Sequence, residues 1–586
     1  MRQWMVAAKK ADFYAIAEKF HVDPVVARII RNREVIGEKN IRIYLGGNLS
    51  DLSDPHQMKD MDRLVEILAQ KIRKQVHIRI IGDYDVDGVT SSHLFLTALR
   101  RVGAKVDVVI PHRIQDGYGL SLHLLQQAKE DGVDTILTCD NGIAAIDEIA
   151  WAKAQKMTVL VTDHHAVPFE EHEGRRTEKK SLADAVVNPH QQDCGYPYKE
   201  LCGAGVAWNV IRVLYENYDM DKREAEDLLD FVAMATVCDV MSLTGENRIL
   251  VKEGLKRIRH TKNIGLQALM QACNVQPENI SAYHFGYVLG PCVNATGRLD
   301  TARHALRLFE TGQETEAEEI ARDLVDLNQE RKELTLQGVE MAKKLCEEGG
   351  YENDPVLVLF LPDVHESIAG LIAGRIREMY NRPVFVLTRG EEGVKGSGRS
   401  TENYSMYENM CGCAELFTKF GGHPMAAGLS LPEENVEKFR RKINENCPLT
   451  VEEVCPDMHI DMAMPVGYAS TELVHQFALL EPFGKDNPSP LFADRNLSIS
   501  RMWVIGKNRN VLRMSVLSEY RQPVPVIFFG DVETLFAYFT EKFGQEEVEN
   551  ALHGRKNRIL FSMVYTAKID FYQGNENLQL EMKYYR

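Results

Sequence analysis

The stretch VHIRIIGDYDVDG, residues 76–88, holds the pattern that decides how this chain folds. Its first six residues form an apolar run typical of a buried strand, and Gly82 ends that run. Asp83, Asp85 and Asp87 follow at every second position, so an extended backbone turns the three carboxylates to one side. Three neighbouring negative charges repel strongly unless a cation such as Mg²⁺ or Mn²⁺ lies among them. The stretch predicts a metal site; the alternative is a turn whose aspartates cap a helix.

Strand-like runs alternate with helical segments from residue 76 to about 240. The later runs are KVDVVI (105–110), VDTILTC (133–139), MTVLVT (157–162) and ADAVVNP (183–189). Such alternation predicts a parallel sheet with helices on both faces, and ligands of these sheets bind beyond the carboxyl ends of the strands.

Acids and histidines follow two more of these strands at that edge. Asp140 ends the 133–139 run within CDNG, and His164 and His165 follow the 157–162 run within DHH. A further acid, Asp239, lies in the apolar segment VAMATVCDVM. Each feature alone is weak, because a strand-end aspartate is more often a helix cap. Together they predict a centre that favours Mn²⁺ or Mg²⁺ over zinc, since oxygen ligands outnumber the histidines.

Composition is that of an ordinary soluble protein with three or four domains, because 586 residues exceed a single core. The first twenty residues indicate an amphipathic helix rather than a cleaved signal, and no apolar run reaches the roughly 18 residues of a membrane span. Eleven cysteines without CxxC pairs predict free thiols in a reducing compartment. We therefore expect a cytoplasmic monomer without membrane contact.

The formal net charge of −16 at first argues against nucleic acid as a partner. The excess is uneven, because residues 486–586 contain 13 Lys and Arg against 12 Asp and Glu. Some of the remaining negative charge belongs to the proposed metal ligands. Net charge therefore does not exclude a nucleic acid.

Residues 350–448 predict a second α/β domain, with strands VLVLFL (356–361) and RPVFVLT (382–388). In VKGSGRS (394–400), glycines leave backbone N–H groups open beside Ser397 and Arg399, so we predict a phosphate-binding loop. The alternative there is a hairpin turn with a surface arginine. His365 opens a helix, and His423 lies beside two glycines in FGGHPMAAGLSL.

Three further segments complete the chain. Residues 1–70 are predicted to form a helical N-terminal segment, which could be a cap or an extra layer on the first domain, and 313–349 a long charged helix joining the two α/β domains. Between them, GPCVNATGRLD (290–300) places Arg298 in a glycine-flanked turn. After about residue 450, short alternating strands carry the candidate DNA-binding residues Trp503, Lys507, Arg509 and Arg513. They predict a β-barrel of the oligonucleotide-binding type that holds single strands, the alternative being a purely structural β-domain.

The order GDYDVDG, CDNG, DHH and a later aspartate resembles the DHH phosphoesterase family, whose motifs build a two-metal centre. This resemblance implies that Asp85, Asp87, Asp140, His164 and Asp239 are metal ligands, with Asp140 bridging two Mn²⁺ or Mg²⁺ ions. Asp83 would be a ligand or a support for one. His165 would face the scissile phosphate or the second metal.

The domain order and the string EPFGKDNPSPLF (481–492) are similar to the single-stranded-DNA-specific exonuclease branch of that family. The resemblance implies two α/β domains, the DHH domain (71–312) and a smaller companion (350–448), joined by the helix and followed by the barrel (449–586). It implies 5′→3′ degradation of single-stranded DNA in repair and recombination, with a helicase and a single-strand-binding protein as possible partners.

A terminal 5′-phosphate would be held by Arg298, Ser397 and Arg399, with His365 and His423 as further phosphate contacts. Ser367 departs from the glycine expected at its position, which leaves the backbone near His365 in question.

Two other functions stay open. The first is a nanoRNase, cyclic dinucleotide phosphodiesterase or pyrophosphatase of the same family. The phosphodiesterases usually carry three glycines before the histidine, where this chain has Phe420, Gly421 and Gly422. The second is a replication scaffold without catalysis, which would have lost acids that this chain retains.

Overall fold

The structure is a computed structural model that describes residues 4–586 except 114–115, 117–118, 173–174, 352, 391–392, 455–456, 507–508 and 573. The chain divides into two compact units. The middle unit is Leu49–Pro456, and the terminal unit combines Gln3–Asn48 with Asp457–Arg586. Within the described ranges, no helix combines the length and the apolar character that a membrane span needs.

The elements before the first α/β sheet are β1 (Trp4–Val6), α1 (Phe13–Phe20), α2 (Pro24–Asn32), α3 (Glu38–Gly46) and α4 (Met61–Arg73). The first α/β domain continues with β2 (His77–Ile81), α5 (Val86–Arg101), β3 (Lys105–Val109), α6 (Leu122–Glu130), β4 (Thr135–Cys139), α7 (Ile146–Ala154), β5 (Thr158–Thr162), β6 (Phe169–His172), β7 (Arg175–Glu178) and β8 (Ala185–Val187). Its helical part comprises α8 (Gly203–Asn217), α9 (Lys222–Glu226), α10 (Leu229–Cys238), α11 (Gly245–Ile258), α12 (Ile264–Ala272), α13 (Ala282–His284), α14 (Gly290–Leu299) and α15 (Arg303–Glu310).

The first sheet is parallel, as predicted, with strand order β3-β2-β4-β5-β8. Its strands are apolar on both faces. Ile80 and Leu137 pack into the core that includes α4, α5 and α8, whereas Ile81 and Ile136 face the core of α6 and α7. In register, Ile81 pairs with Val109 and Thr138, so the strands end together and the residues that follow them share one rim.

The long helix α16 (Glu314–Glu348) leads to the second α/β domain, as predicted. That domain contains β9 (Leu357–Phe360), α17 (Glu366–Tyr380), β10 (Val384–Gly390), β11 (Gly393–Arg399), α18 (Met406–Cys411), β12 (Lys419–His423), β13 (Ala426–Leu431) and α19 (Val436–Glu445). Its sheet has the order β12-β13-β11-β10-β9, with only the β9 and β10 pair parallel.

The terminal unit closes a barrel. Its elements are β14 (Met458–Ile460), β15 (Met462–Ala463), α20 (Thr471–Phe477), β16 (Phe492–Ile505), β17 (Val511–Leu517), β18 (Pro523–Phe529), α21 (Val532–Phe543), α22 (Gln545–Leu552), β19 (Leu560–Tyr572) and β20 (Asn575–Tyr585). The sheet order β15-β16-β17-β18-β20-β19 is completed by pairing of β19 with β16, which closes five strands into the predicted barrel.

The expectation that the N-terminal helices cap the first domain is wrong. Helices α1 to α3 belong to the terminal unit, and Ile29 and Ile30 pack in one apolar core with Phe492. Arg33 makes a bidentate ion pair with Asp461, with N–O distances of 2.7 and 3.1 Å, and both side chains are buried. Of the predicted 1–70 segment, α4 and the residues just before it, such as Met58, pack in the core of the first sheet.

The prediction of a loop at 394–400 is also wrong, because these residues form β11 between β10 and β13. Its glycines serve packing rather than a turn. A Cβ on Gly396 would lie 2.4 Å from a Leu387 methyl carbon, and one on Gly398 would lie 2.3 Å from the Met406 sulfur. Its backbone N–H groups are therefore engaged in the sheet rather than open for a phosphate.

Arg298 lies in the last turn of helix α14 and not in a glycine-flanked turn. The glycines of that segment permit close helix packing. A Cβ on Gly290 would lie 2.3 Å from the Cys238 sulfur, and one on Gly297 would lie 2.4 Å from the Tyr84 carbonyl oxygen. Helix α14 therefore packs directly against the loop that carries the first three aspartates.

Candidate metal centre and anion cavity

The rim of the first sheet gathers seven side chains that we call the metal-centre cluster. They come from the ends of β2, β4 and β5, from the first turn of α5 and from the C-terminal end of α10: Asp83, Asp85, Asp87, Asp140, His164, His165 and Asp239. Three subsets have ligand atoms within 4.8 Å of one another. One is Asp83, Asp85 and Asp140; another is Asp87, His164 and Asp239; the third is Asp140, His164 and His165.

Asp140 belongs to two of these subsets, which is the arrangement that a bridging carboxylate requires. The His164 Nε2 atom lies 3.1 Å from an Asp140 oxygen, 3.7 Å from an Asp87 oxygen and 3.6 Å from an Asp239 oxygen. Asp140 holds a left-handed backbone conformation with φ of +61°, which is uncommon outside glycine. A Cβ on Gly203 would lie 2.6 Å from the Asp140 Cβ, so glycine there leaves room for the aspartate.

Asp87 is fixed by the N-terminus of helix α8. Its two carboxylate oxygens accept hydrogen bonds from the backbone N–H groups of Gly203 and Ala204, at 2.6 and 2.7 Å. The positive end of a helix dipole stabilises a carboxylate placed there. Asp85 has a similar local role, because it caps α5 by accepting a hydrogen bond from Gly88 N–H at 3.1 Å. The helix-cap alternative therefore describes part of what Asp85 does, without removing it from the cluster.

The electrostatics of the cluster call for a cation. Burial and the charges of Asp87 and Asp85 raise the pKa of Asp140 well above its usual range. Burial and the charge of Asp85 raise the pKa of Asp83 in the same way. Asp83 Oδ1 is buried and has no hydrogen-bond donor among the described residues. An oxygen-rich set with one neutral imidazole suits Mg²⁺ or Mn²⁺, so the residues present fit such ions.

Asp163 orients the two histidines, and sequence reasoning did not assign it a role. Its Oδ1 accepts hydrogen bonds from the backbone N–H groups of His164 and His165 and is bonded to His165 Nδ1 at 2.8 Å. Its other oxygen accepts from Ile143 N–H at 2.9 Å. Burial alone would lower the pKa of His165, but the hydrogen bond to Asp163 and the charges of Asp163, Asp239 and Asp87 raise it to about 9. Asp163 is the aspartate of the DHH motif, and its place in that motif was the sequence feature that could have indicated this role.

A second site lies between the two α/β domains of the middle unit. It is a cavity of about 430 Å³, which we call the anion cavity, with Tyr84 and Arg113 from the first domain on one side. Its other lining residues include Ser367, Lys395, Ser397, Lys419, Phe420 and Gly421. Sequence reasoning found Ser397 but missed Arg113, Lys395 and Lys419. Arg113 follows β3 at the same rim as the acids, so the strand-end rule could have found it.

Arg298 and Arg399 stand behind this lining. Arg298 Nη1 donates to the Ser367 carbonyl oxygen at 2.6 Å, and a Cβ on Gly370 would lie 2.9 Å from Arg399 Nη2. Burial and the charges of Arg113, Arg331 and Arg399 lower the pKa of Arg298 to about 10. Burial and neighbouring arginines lower the pKa of Arg399 as well. A bound anion would relieve this crowding of positive charge.

The two remaining predicted phosphate contacts have different surroundings. His365 caps α17, with Nδ1 bonded to Ser367 Oγ at 2.7 Å, so the unexpected serine fixes the histidine ring. His423 is exposed at the end of β12. Of the described residues, those that define the cavity include neither histidine, although Ser367 and Gly421 beside them do line it. Their roles as phosphate contacts stay predictions.

One face of the barrel carries two of the predicted nucleic-acid residues, Trp503 and Arg513. Trp503 on β16 pairs in register with Arg513 on β17, both are exposed, and the Arg501 guanidinium lies 5.8 Å from the Trp503 ring centre. Arg509 is exposed in the β16–β17 turn. Lys507 lies outside the described residues. An aromatic ring beside cations is the chemistry that holds single strands without reading sequence.

The parallel sheet with its acid rim is that of the DHH class of phosphoesterases, and residues 77–236 match the DHH family, N-terminal domain. Residues 353–447 match the DHHA1 domain and residues 460–584 the RecJ OB domain.

The chain is 33% identical over 512 residues to the single-stranded-DNA-specific exonuclease RecJ of Bacillus subtilis, a match that covers 87% of this chain and 63% of that protein, less than two thirds of its length. It is 32% identical to RecJ of Haemophilus influenzae over 96% of both chains. This chain therefore belongs to the RecJ family.

The fold agrees with solved structures. RecJ from Thermus thermophilus in complex with Mn²⁺ superposes with a TM-score of 0.81 at 25% identity, covering all of this chain and 79% of that one. The same protein in complex with Mg²⁺ superposes with a TM-score of 0.76 at 24% identity, over 100% and 78% of the two chains. These matches confirm the predicted α/β and barrel architecture.

Proposed function

We propose that this protein is a metal-dependent exonuclease that removes nucleotides from the 5′ end of single-stranded DNA in repair and recombination. The observation that carries this proposal is the pairing of two sites in one unit, a largely buried acid cluster and a half-buried arginine cluster. The names of the B. subtilis and H. influenzae relatives support the substrate. The Mn²⁺ and Mg²⁺ complexes of the Thermus protein support the choice of ion.

Two divalent ions would be held by Asp83, Asp85, Asp87, Asp140, His164 and Asp239, with Asp140 shared between them. When bound, such ions supply Lewis-acid activation of water and of a phosphodiester. The chain itself supplies the orientation. Hydrogen bonds from the start of helix α8 fix the Asp87 carboxylate. Hydrogen bonds to Asp163 fix the two histidines.

His165 has the properties of a group that stabilises developing phosphate charge. It is more exposed than His164, at 40% against 8% of the side chain, and its Nδ1 is held by Asp163 at 2.8 Å. An imidazole N–H at the rim can donate a hydrogen bond to a non-bridging oxygen of a phosphodiester. No cysteine or serine of the chain is needed as a nucleophile.

The anion cavity gives the enzyme its polarity in this proposal. A terminal 5′-phosphate would contact Arg113 and Ser397, with Arg298 and Arg399 supplying charge from behind. Helix α14 fixes the spacing to the acids, because Asn294 Oδ1 accepts a hydrogen bond from Val86 N–H at 3.2 Å and Gly297 packs on Tyr84. A strand end held there presents its first phosphodiester to the rim.

The domain roles follow from this division. Residues 71–312 would carry the catalytic domain, 350–448 the companion that completes the anion cavity, and 449–586 with helices α1 to α3 the strand-binding barrel. A cytoplasmic monomer that works with a helicase and a single-strand-binding protein stays part of the proposal.

The test is digestion of a long 5′-phosphorylated single strand by the full-length protein with Mn²⁺, compared with the same strand as a duplex and with a dinucleotide. We expect mononucleotides from the 5′ end of the single strand and little product from the duplex. Preference for the dinucleotide would instead identify a small-substrate phosphodiesterase. Activity that survives in both Asp140→Ala and His164→Ala would refute the assigned metal centre.

A further inference from the structure

Two exposed tyrosines stack on each other, one in α13 and one in the turn that joins α13 to α14. The rings of Tyr283 and Tyr287 have centres 5.1 Å apart and planes inclined by 22°, while the residues are 62% and 71% exposed. Large aromatic side chains usually bury most of their surface. A stacked pair in solvent is therefore a surface prepared to receive another flat apolar group.

The backbone under the pair is rigid. Phe285 and Leu289 of the same segment are fully buried, so they anchor it from the opposite side. Residues Phe285–Leu289 form a π-helical turn, a geometry that is rare and is frequent at functional sites. Ser281 and His284 close a capping box at its start. The segment 281–289, which we call the frame, therefore holds the two rings at the surface.

The frame packs against the helix end that carries an acid of the metal-centre cluster. The Cys238 thiol donates a hydrogen bond to the Phe285 carbonyl oxygen at 3.3 Å, and a Cβ on Gly286 would lie 3.4 Å from a Val237 methyl carbon. Asp239 is the next residue after Cys238. In the other direction the frame continues into α14, which ends with Arg298 in its last turn. The tyrosine pair is therefore tied to both proposed sites.

A third exposed apolar side chain lies beside Asp239. Val240 is 62% exposed and has φ of +54°, in the left-handed region where β-branched residues are rare. Met241 N–H closes the helix end by donating to the Thr236 carbonyl oxygen at 3.1 Å, a motif in which glycine usually holds the position of Val240. An exposed valine kept in a strained conformation next to a metal-centre acid indicates a binding function.

We propose that Tyr283 and Tyr287, with Val240, form a base-stacking platform for the nucleotides that follow the terminal phosphate. This inference rests on the proposed exonuclease function and identifies a further substrate contact. Every base has a flat π face, so stacking holds a strand without selecting its sequence, as a degrading enzyme requires. A docking protein is the weaker reading, because protein interfaces need about 800 Å² from each partner and two rings with one valine offer far less.

The experiment pairs protein variants with abasic substrates, using the full-length protein and Mn²⁺. The double variant Tyr283→Ala/Tyr287→Ala is compared with Tyr283→Phe/Tyr287→Phe, which retains both rings, and with Leu336→Ala, which removes a similarly exposed apolar side chain from α16. Each is assayed for KM and kcat on a 5′-phosphorylated single strand and on strands with one base removed at successive positions.

We expect the alanine double variant to raise KM at least about fivefold with a smaller change in kcat, and the phenylalanine variant to restore KM. The unmodified protein should lose a similar factor when one particular base is absent, and the alanine variant should be insensitive to that removal. An unchanged KM in the alanine variant, or equal sensitivity of both proteins to the abasic position, would overturn the platform. If the unmodified protein cleaved no single strand at all, the proposed function itself would fail instead.

Discussion

The metal-centre cluster and the arginines of the anion cavity lie in one unit but concentrate opposite charge. Burial and repulsion raise the pKa of Asp140 and Asp83, while burial and repulsion lower the pKa of Arg298 and Arg399. In each region like charges are forced together and partly withdrawn from water. In the proposed function a divalent cation would relieve this repulsion in one place and a phosphate in the other.

The largest expected effect comes from the shared acid. Asp140→Ala should lower cleavage of single-stranded DNA by at least about 10³-fold, because metal ions supply several kcal/mol of transition-state stabilisation and about 1.36 kcal/mol corresponds to tenfold. Steady-state rates and Mn²⁺ titration by calorimetry measure the two consequences. Asp147→Ala, which removes an exposed acid of α7, is the matched control. Undiminished Mn²⁺ binding in the Asp140 variant would show that the acid cluster does not hold the metal through Asp140.

Substituting an arginine of the anion cavity should change the preference for a 5′-phosphate rather than abolish cleavage. Arg298→Ala should reduce kcat/KM on a 5′-phosphorylated strand by about 10²-fold, since charge-assisted hydrogen bonds are worth ~1.5–3 kcal/mol each. A strand with a 5′-hydroxyl should be affected much less. Arg303→Ala removes an exposed arginine from the next helix and should change neither value. Equal losses on both strands would show that Arg298 is structural.

Orientation within the acid cluster should matter less than its charge. Asp163→Asn keeps the shape but weakens the bond to His165, so we expect a roughly 10–100-fold lower kcat, the range found for groups that orient metal ligands. Circular dichroism and the unfolding midpoint check that the variant is folded. A rate equal to that of the unmodified protein would show that the backbone alone positions the histidines.

The exposed cations of the barrel provide a contrast with the half-buried arginines of the anion cavity. Arg513→Ala on the barrel should weaken single-strand binding modestly and reduce the slope of log affinity against log salt by about 1, through lost counterion release. Fluorescence anisotropy at several salt concentrations measures this slope. Arg441→Ala, from the exposed face of α19, should leave the slope unchanged. No change with Arg513→Ala would exclude this barrel face from strand binding.

A buried histidine outside the metal-centre cluster shows what burial does to a pKa. His93 packs against the Phe231 and Phe309 rings, and burial lowers its pKa to about 3. Below about pH 6.5 the unfolded chain gains a proton that folded His93 does not, so stability falls as pH drops towards 3. His93→Leu should recover at most about 2 kcal/mol of this loss between about pH 6.5 and 5, measured by denaturant unfolding. Parallel pH profiles of the two proteins would contradict the assigned pKa.

The sequence pattern was sufficient to predict the structure wherever a residue's neighbours along the chain determine its environment. The apolar runs before Asp83, Asp140 and His164 indicated strands of one direction, and parallel strands bring their ends to one rim. Arg113 was missed because it follows a strand in a loop without periodicity. The glycines of 394–398 were misread because their reason, contact with Leu387 and Met406, lies elsewhere in the chain.

The long-range packing of the N-terminal helices could likewise not be predicted from the sequence. Their amphipathic pattern shows that a face is buried but not which core receives it. The partners of Arg33 and Ile29, namely Asp461 and the barrel core, are more than 400 residues away.

The terminal unit takes its parts from both ends of the polypeptide, and β1 even pairs with β14. During synthesis the catalytic half can therefore collapse first, whereas the earliest residues to leave the ribosome must wait for the last ones before they find their core. Until the C-terminal residues are synthesised, the apolar faces of helices α1 to α3 stay exposed to solvent. A chain cut short near residue 450 would leave them permanently so, and truncations intended to remove the barrel should also remove the first 48 residues.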